Sequence, residues 1–485
     1  MMKIKIFSKI VLAVMVLANV GCNDWLDVTP QAQVNAEKLF SNPKGYESAV
    51  YGIYTSMTRA SMYGEHMTYG LMDVMAQYYK ANTNSAHKFY EATRYNYENG
   101  DVKDAIKGIW LDSYNSIANC NILLEYLEPK SPDFFDKDHY NLIKGEALAL
   151  RAYLHFDLLR AFAPSWKDNA KGMSIPYADR FTNKIHRQLT TTDVIGHILA
   201  DLDSARNLLK GVDPVFYDTF KDPIYHYGQP LESVAGFKDF RAYRMNYYAI
   251  TGLMARVYNY MGDIKAYQYA KEVIDARKEG CFRFATEAEV SAADANKDVV
   301  MQNEILFALN YPDVHKLFYA ADALGSTGYD LKKADKLFPL TDDLRKKLVR
   351  QNSRKQDISL KFADIKSTKG GKIPMIRLSE MYLIAAERGF SVNKDEATGY
   401  LEELRRVRGV PADLKGISFS QLLEELTVDA RREFVSEGQM FYWYKRLGLS
   451  INDGETVVTP TKKQFSLPMP ATEIEFGGRV EEYLK

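Results

Sequence analysis

Residues 253–270 read LMARVYNYMGDIKAYQYA. Leu253, Ala255 and Tyr258 precede a Gly262-Asp263 turn, and Ala266, Tyr269 and Ala270 follow it. Spacings of three and four residues put one apolar stripe on a helix either side of the turn. Small residues let two such helices approach closely, and aromatic rings fill the space beside them. This resembles the helix–turn–helix of tetratricopeptide repeats. It returns at Tyr382, Ala385, Ala386 and Glu387, followed by Ala397, Tyr400 and Leu401. The pattern predicts helix pairs over residues 244–260 with 264–276, and 376–390 with 397–408. The copies are irregular and interrupted, so stacked pairs with insertions are expected rather than a regular array.

Working outward, residues 104–127 carry Ile106, Ile109, Trp110, Tyr114, Ile117, Ile122 and Leu124 on one helical stripe, with Pro129 and Pro132 beyond its end. A second long helix is expected over 141–163, stopped by Pro164. A third, begun by Thr192-Asp193, runs to about Leu209 before Gly211. Residues 422–447 close the helical part. Strand signals are few: 304–310, 456–459 and 464–468 read as short strands or extended loops. The expected fold is mainly α, with loop-rich segments at about 60–100 and 211–375 carrying a few short strands.

The first residues form a separate unit. Lys3, Lys5 and Lys9 precede an apolar run from Ile10 to Val20, interrupted by Asn19. That run is too short to cross a bilayer, which takes roughly 20 apolar residues. A basic start, a short apolar core and a small-residue exit describe a signal peptide over 1–21. Val20-Gly21-Cys22 resembles a lipobox, in which cleavage precedes a lipidated cysteine; Asn19 stands where such sites prefer leucine. Cys22 is therefore the expected lipidation site, and one domain over 22–485 the expected mature body.

Composition bounds the function. The chain holds 63 basic and 63 acidic residues. Removing 1–21, with three lysines and no acid, leaves a formal charge of −3. Such a chain lacks the electrostatic footprint of a nucleic-acid binder. Apart from Cys22 only Cys120 and Cys281 remain, and the sequence leaves open whether they pair. The eight histidines are scattered with no HExxH. No G-x-S-x-G elbow occurs, and Gly370-Gly371-Lys372 lacks the remainder of a phosphate loop. Neither a metal site, a cofactor nor catalysis is indicated. Tyrosine is abundant, 33 residues against 4 Trp. Its ring covers apolar faces while its hydroxyl hydrogen-bonds, which suits contact with sugars or peptides.

The order of several motifs resembles the SusD/RagB family of nutrient-binding outer-membrane lipoproteins. Cys22-Asn-Asp-Trp-Leu-Asp27 with Pro30 is similar to the family's start after the lipid. Trp110-Leu-Asp-Ser-Tyr114 and Gly145-Glu146-Ala147-Leu-Ala-Leu-Arg151-Ala152-Tyr153 resemble its shared helices, and Ile175-Pro176 follows. Arg377-Leu-Ser-Glu380-Met-Tyr382 through Glu387 resembles its C-terminal half. Arg431-Arg432-Glu433-Phe434, Glu437-Gly438, Lys445-Arg446 and Leu467-Pro468-Met-Pro470 complete the series. Arg151, Arg377, Glu387, Arg431, Arg432, Glu433 and Glu437 sit beside apolar residues and are expected to fix helix register by ion pairing rather than to do chemistry.

The resemblance implies a surface lid over a SusC-like TonB-dependent transporter, tethered through about residues 22–35 and facing the cell exterior. The ligand would be a glycan or, as in RagB, a peptide; a tetratricopeptide-like scaffold without nutrient ligand is the competing class, and an enzyme the third. Binding is expected in loops on the rigid scaffold. Residues 63–97 and 311–329 are rich in aromatics, and the family draws ligand-facing rings from such segments. The expected contacts are Tyr78, Tyr79, Asn82, Tyr90, His315, Phe318 and Tyr319, with Asn84 and Arg94 as further polar candidates.

Overall fold

A computed structural model describes residues 31–83, 85–136, 138–221, 236–318, 328–363 and 366–481. The chain divides into two compact units, Met1–Tyr46 and Glu47–Lys485. The first holds helix α1 (Gln31–Leu39), and the second begins within α2 (Pro43–Met57). Cys22 and the leader lie outside the described residues.

In the second unit, long helices stack in chain order. They are α3 (Gly100–Leu127), α4 (His139–Phe162), α5 (Thr191–Leu209), α6 (Tyr247–Met261), α7 (Lys265–Lys278), α8 (Leu378–Gly389) and α9 (Lys394–Val407). Each packs against the next along α3–α4–α5–α6–α7–α8–α9, and α10 (Phe419–Glu433) leans on α8. From Gly145 to Phe162 every residue of α4 is buried, so this helix is covered on all sides. Gly145 permits its contact with α5: a Cβ there would lie 2.0 Å from Leu209 Cδ1.

The α6–α7 hairpin follows its sequence. Gly262 ends α6 at φ +78°, with Asp263 N–H donating to the Tyr258 carbonyl at 2.9 Å. Tyr258 and Tyr269 stack across the hairpin at 5.5 Å, above the buried Ala255, Ala266 and Ala270. In the α8–α9 pair, Tyr382 and Tyr400 meet edge to face at 5.9 Å beside buried Ala385, Ala386 and Ala397.

Four expectations change. The α5 cap is Thr190, whose Oγ1 accepts the Asp193 N–H, because the strand Gln188–Thr190 runs straight into the helix. Residues 376–377 belong to strand Lys372–Arg377, so α8 starts at Leu378. The stretch 422–447 is two helices: Ser436 (φ 67°) and Gly438 (φ 70°) reverse the chain before α11 (Met440–Leu447). Residues 464–468 make a turn and an extended tail whose Leu467 N–H donates to the Ala161 carbonyl at 3.0 Å. The expected strand at 304–310 is Ile305–Asn310, paired antiparallel with Lys372–Arg377. Three further two-stranded ribbons complete the strands among the described residues.

Buried ion pairs join elements distant in sequence. Glu146 on α4 accepts from Arg241 Nη1 at 2.6 Å, Arg244 Nε at 2.8 Å and Tyr54 OH at 2.7 Å. Arg241 also grips both oxygens of Asp213 at 2.9 Å. Glu433 on α10 accepts from Arg408 Nε at 2.7 Å and Arg345 Nη1 at 3.2 Å on one oxygen, and from Arg377 Nη1 at 3.1 Å on the other. Arg408 spans to Glu304 with two 2.6 Å bonds. Arg151 holds Asp201 through two 2.7 Å bonds, and Arg446 holds Glu387 likewise. Burial alone would push Glu146 and Glu433 up. The facing guanidinium charges outweigh it and hold Glu146 below the ordinary 4.5 and Glu433 well below it. Arg431 and Arg432 depart from the expected pattern by bonding mainly to backbone carbonyls: Ala76 and Gln77 for Arg431, Leu337 for Arg432.

Candidate functional site: two aromatic segments meet

The chain leaves α2, makes the short helix Leu71–Met75 and turns at Gln77 (φ 60°). Tyr79 then pairs with Leu331 as an isolated antiparallel bridge. Lys80 N–H donates to the Asp330 carbonyl and Lys332 N–H to the Tyr78 carbonyl, both at 2.8 Å. Lys80 Nζ lies 3.0 Å from Asp330 Oδ2. These contacts zip together the two aromatic-rich segments, some 250 residues apart.

Where they join, rings converge. Tyr69 meets Tyr329 at 4.8 Å and Phe318 at 5.2 Å, both edge to face. Phe318 stacks on Tyr329 at 5.6 Å, Tyr79 meets Tyr329 at 5.3 Å, and Phe362 adds a contact to Tyr69 at 5.0 Å. Tyr329 is the hub, and its hydroxyl donates to Glu65 Oε1. Lys88 Nζ approaches the same oxygen at 2.6 Å. Burial lowers the His66 imidazole to about 4, and burial together with the Lys88 charge lowers His87 to about 4. Both rings are therefore neutral near pH 7, and the cations near them are lysine and arginine side chains such as Lys88. Gly328 makes the close approach possible, since a Cβ there would stand 2.6 Å from the His87 ring.

The expected contact residues separate into floor and rim. Tyr78, Tyr79 and Phe318 are each 1% exposed and cannot offer a face to a ligand as they stand. Their rings are worth more inside, where burying a large side chain contributes about 2–3 kcal/mol. Their polar tips are used internally: Tyr78 OH donates to the Arg431 carbonyl at 2.5 Å, and Tyr79 OH and Ser436 Oγ are 3.1 Å apart. Burial raises both phenols well above their ordinary 10.0, so they stay protonated.

Tyr90 and His315 are half-buried. Tyr90 carries the exposed Arg94 guanidinium 4.4 Å above its ring, and Arg94 also donates to its hydroxyl. His315 Nδ1 lies 3.2 Å from the Pro312 carbonyl. Asn82 is placed by its backbone in the turn Lys80–Thr83. Tyr319 and Asn84 lie outside the described residues. Sequence reasoning missed Glu65, His87, Lys88 and Phe362; none stands in a recognisable motif, and only the closure of the two segments brings them together.

The arrangement is a rigid aromatic floor with a polar, partly open rim. Among the described residues no group of three His, Cys, Asp or Glu side chains could hold a metal ion, and no helix is long and apolar enough to cross a membrane. Cys120 is a buried thiol pushed up to about 12 by burial, and no disulfide joins it to Cys281.

Comparisons with known proteins agree with this fold. Residues 24–217 match the SusD-like family model described as starch-binding and associating with the outer membrane. The SusD-like protein P2 of Formosa agariphila is 24% identical over 208 residues, 41% of this chain and 38% of that relative. The chain thus spans about two-fifths of the curated relative it matches. A solved SusD superfamily structure from Bacteroides thetaiotaomicron is 22% identical with a TM-score of 0.68, covering 90% of this chain and 98% of that one. A SusD-like carbohydrate binding protein from Bacteroides vulgatus is 18% identical with a TM-score of 0.69, covering 90% and 96%.

Proposed function

We propose that this chain is a SusD/RagB-family protein that captures an oligosaccharide at the cell surface and passes it to a SusC-like TonB-dependent transporter of the outer membrane, a reading supported by the family match over residues 24–217. The observation that carries this reading is the meeting of the two aromatic segments around Tyr329, each of which also carries a half-buried ring, Tyr90 in one and His315 in the other. A flat ring backed by a packed floor loses little entropy on stacking against a sugar face, and Arg94 and Lys88 supply directional donors. The same arrangement favours binding over catalysis, because its carboxylate, Glu65, is already engaged by Tyr329 and Lys88. Export directed by residues 1–21 and their removal, lipidation at Cys22 and an exterior-facing position on the outer membrane belong to the same reading. Modest affinity suffices there, since a lid closing over a transporter adds effective concentration.

Calorimetry of the full-length protein against maltoheptaose and a panel of neutral oligosaccharides tests the ligand. Binding by at least one, weakened in Tyr90→Ala, is expected. The peptide reading has its own observation, 33 Tyr against 4 Trp; a panel in which only oligopeptides bind would replace the saccharide by a peptide. Co-purification from outer membranes tests the partner: a TonB-dependent barrel in near-equal amount is expected, and its absence would refute the lid.

A further inference from the structure

The extended segment that delivers Tyr329 to the aromatic floor lines a second site further along. Lys332, Lys333 and Lys336 line a small open groove of about 240 Å³. α10 contributes Val428, Arg431 and Arg432 to the lining, and Asn452, Asp453 and Gly454 add to it.

Its lining is unusually cationic. Lys332, Lys333, Lys336, Arg431 and Arg432 face one lining carboxylate, Asp453. Two of the five cations are structural. Lys332 Nζ is 2.8 Å from Asp453 Oδ2, and Arg431 is held by the Ala76 and Gln77 carbonyls over the Tyr78 ring. The other three are not saturated. Lys336 Nζ donates to the Gly454 carbonyl, a neutral partner. Lys333 pairs with Glu455, but both are exposed, at 41% and 48%, where a pair is worth little. Arg432 bonds through Nε to the Leu337 carbonyl, and the carboxylate it approaches is Asp429, 3.9 Å away. Asp429 is already committed to Arg405 at 2.6 Å and Arg345 at 3.1 Å. The Arg432 side chain is only 12% exposed, so water screens its charge little and no carboxylate pairs with it closely. Burial and the Arg345 and Arg405 charges indeed hold it below its ordinary value despite Asp429.

We infer that this groove binds an anionic ligand, carrying carboxylates or sulfates, through Arg432, Lys333 and Lys336. A planar carboxylate or a sulfate would give Arg432 the paired acceptors its free edge lacks. The two lysines would meet a second acidic group on the same ligand. Val428, 44% exposed, offers apolar area between them for a ring. The inference does not depend on the aromatic rim, and the two sites are separable by ligand charge.

The test is calorimetry on the full-length protein at low salt, with tetragalacturonate, its neutral methyl ester and tetraglutamate as probes. Tetragalacturonate is expected to bind, with affinity falling as salt rises, and the ester is not. Lys333→Gln/Lys336→Gln, at exposed positions, should weaken it about tenfold, the loss of one charge-assisted contact. Arg432→Gln should weaken it at least as much, while Tyr90→Ala should leave it unchanged. Comparable binding of tetraglutamate would support the site and assign the acid to a peptide; failure of tetraglutamate alone would assign it to an acidic saccharide. No binding of either acidic probe, or equal binding to both charge variants, would overturn the inference. Loss in Tyr90→Ala alone would move anion binding to the aromatic site and also overturn it.

Discussion

The helix stack and the aromatic junction handle buried polarity in opposite ways. In the stack, charge meets charge: Glu146 and Glu433 each face more than one guanidinium, and Arg241 and Arg408 are fully buried between two carboxylates. At the junction rings meet rings, with the Tyr78 hydroxyl turned to a carbonyl, that of Tyr79 to Ser436 and that of Tyr329 to Glu65. A buried ion-pair array fixes register, and its carboxylates are already engaged by guanidinium groups. A ring cluster with a half-buried edge is rigid yet keeps faces and donors at its rim. The contrast therefore separates the part of the molecule that holds shape from the part that can bind.

The largest effect should come from breaking the stack. Arg408→Ala leaves Glu304 and Glu433 buried without their shared partner, and should cost about 3–5 kcal/mol in chemical denaturation. A loss below 1 kcal/mol would mean that the array is not a unit.

Acid should act on the same array. Glu146, Glu387 and Glu433 are held below the ordinary 4.5 when folded, so each binds protons less readily folded than unfolded. Their stabilisation is complete above the unfolded value and is lost as pH falls below it. Unfolding scans from pH 7 to lower pH should show stability dropping once pH passes below about 4.5, and more shallowly in Glu146→Gln; a flat profile would contradict the assigned pairing.

Next in size is the reversal between α10 and α11. A Cβ at Gly438 would sit 2.1 Å from the Met67 carbonyl oxygen, at φ +70°. Gly438→Ala should cost about 2 kcal/mol, measured by denaturant titration. The smallest effect is expected at Asp73, whose Oδ1 accepts the Gly438 N–H at 3.0 Å. Burial raises this carboxyl well above its ordinary 3.8, and Oδ2 has no partner among the described residues. Asp73→Asn keeps the acceptor and removes the cost of ionising, so thermal stability should stay level or rise; a marked fall would show that the carboxylate is needed.

The helices were legible because their information is local. Gly262, Ala255 and Ala266 state a tight hairpin within a dozen residues, and the structure places it there. The break at Ser436–Gly438 was not, since the apolar period continues through it and the glycine is explained by its positive φ and its approach to Met67 in the fold. Strand Lys372–Arg377 was missed because its partner lies more than sixty residues upstream. The site was half legible. Residue type marked the two aromatic segments, but type cannot tell a floor ring from a rim ring. Tyr78, Tyr79 and Phe318 went inside because each segment is the other's cover, a pairing made by Tyr79 and Leu331 across the fold.

The division into floor and rim is tested most directly at Tyr90. Calorimetry with the neutral oligosaccharide that binds best, run alongside thermal unfolding, should show Tyr90→Ala weakening binding about tenfold, the worth of one stacked ring, with unfolding unchanged. Full affinity in Tyr90→Ala, or equal loss of affinity and stability, would contradict the account.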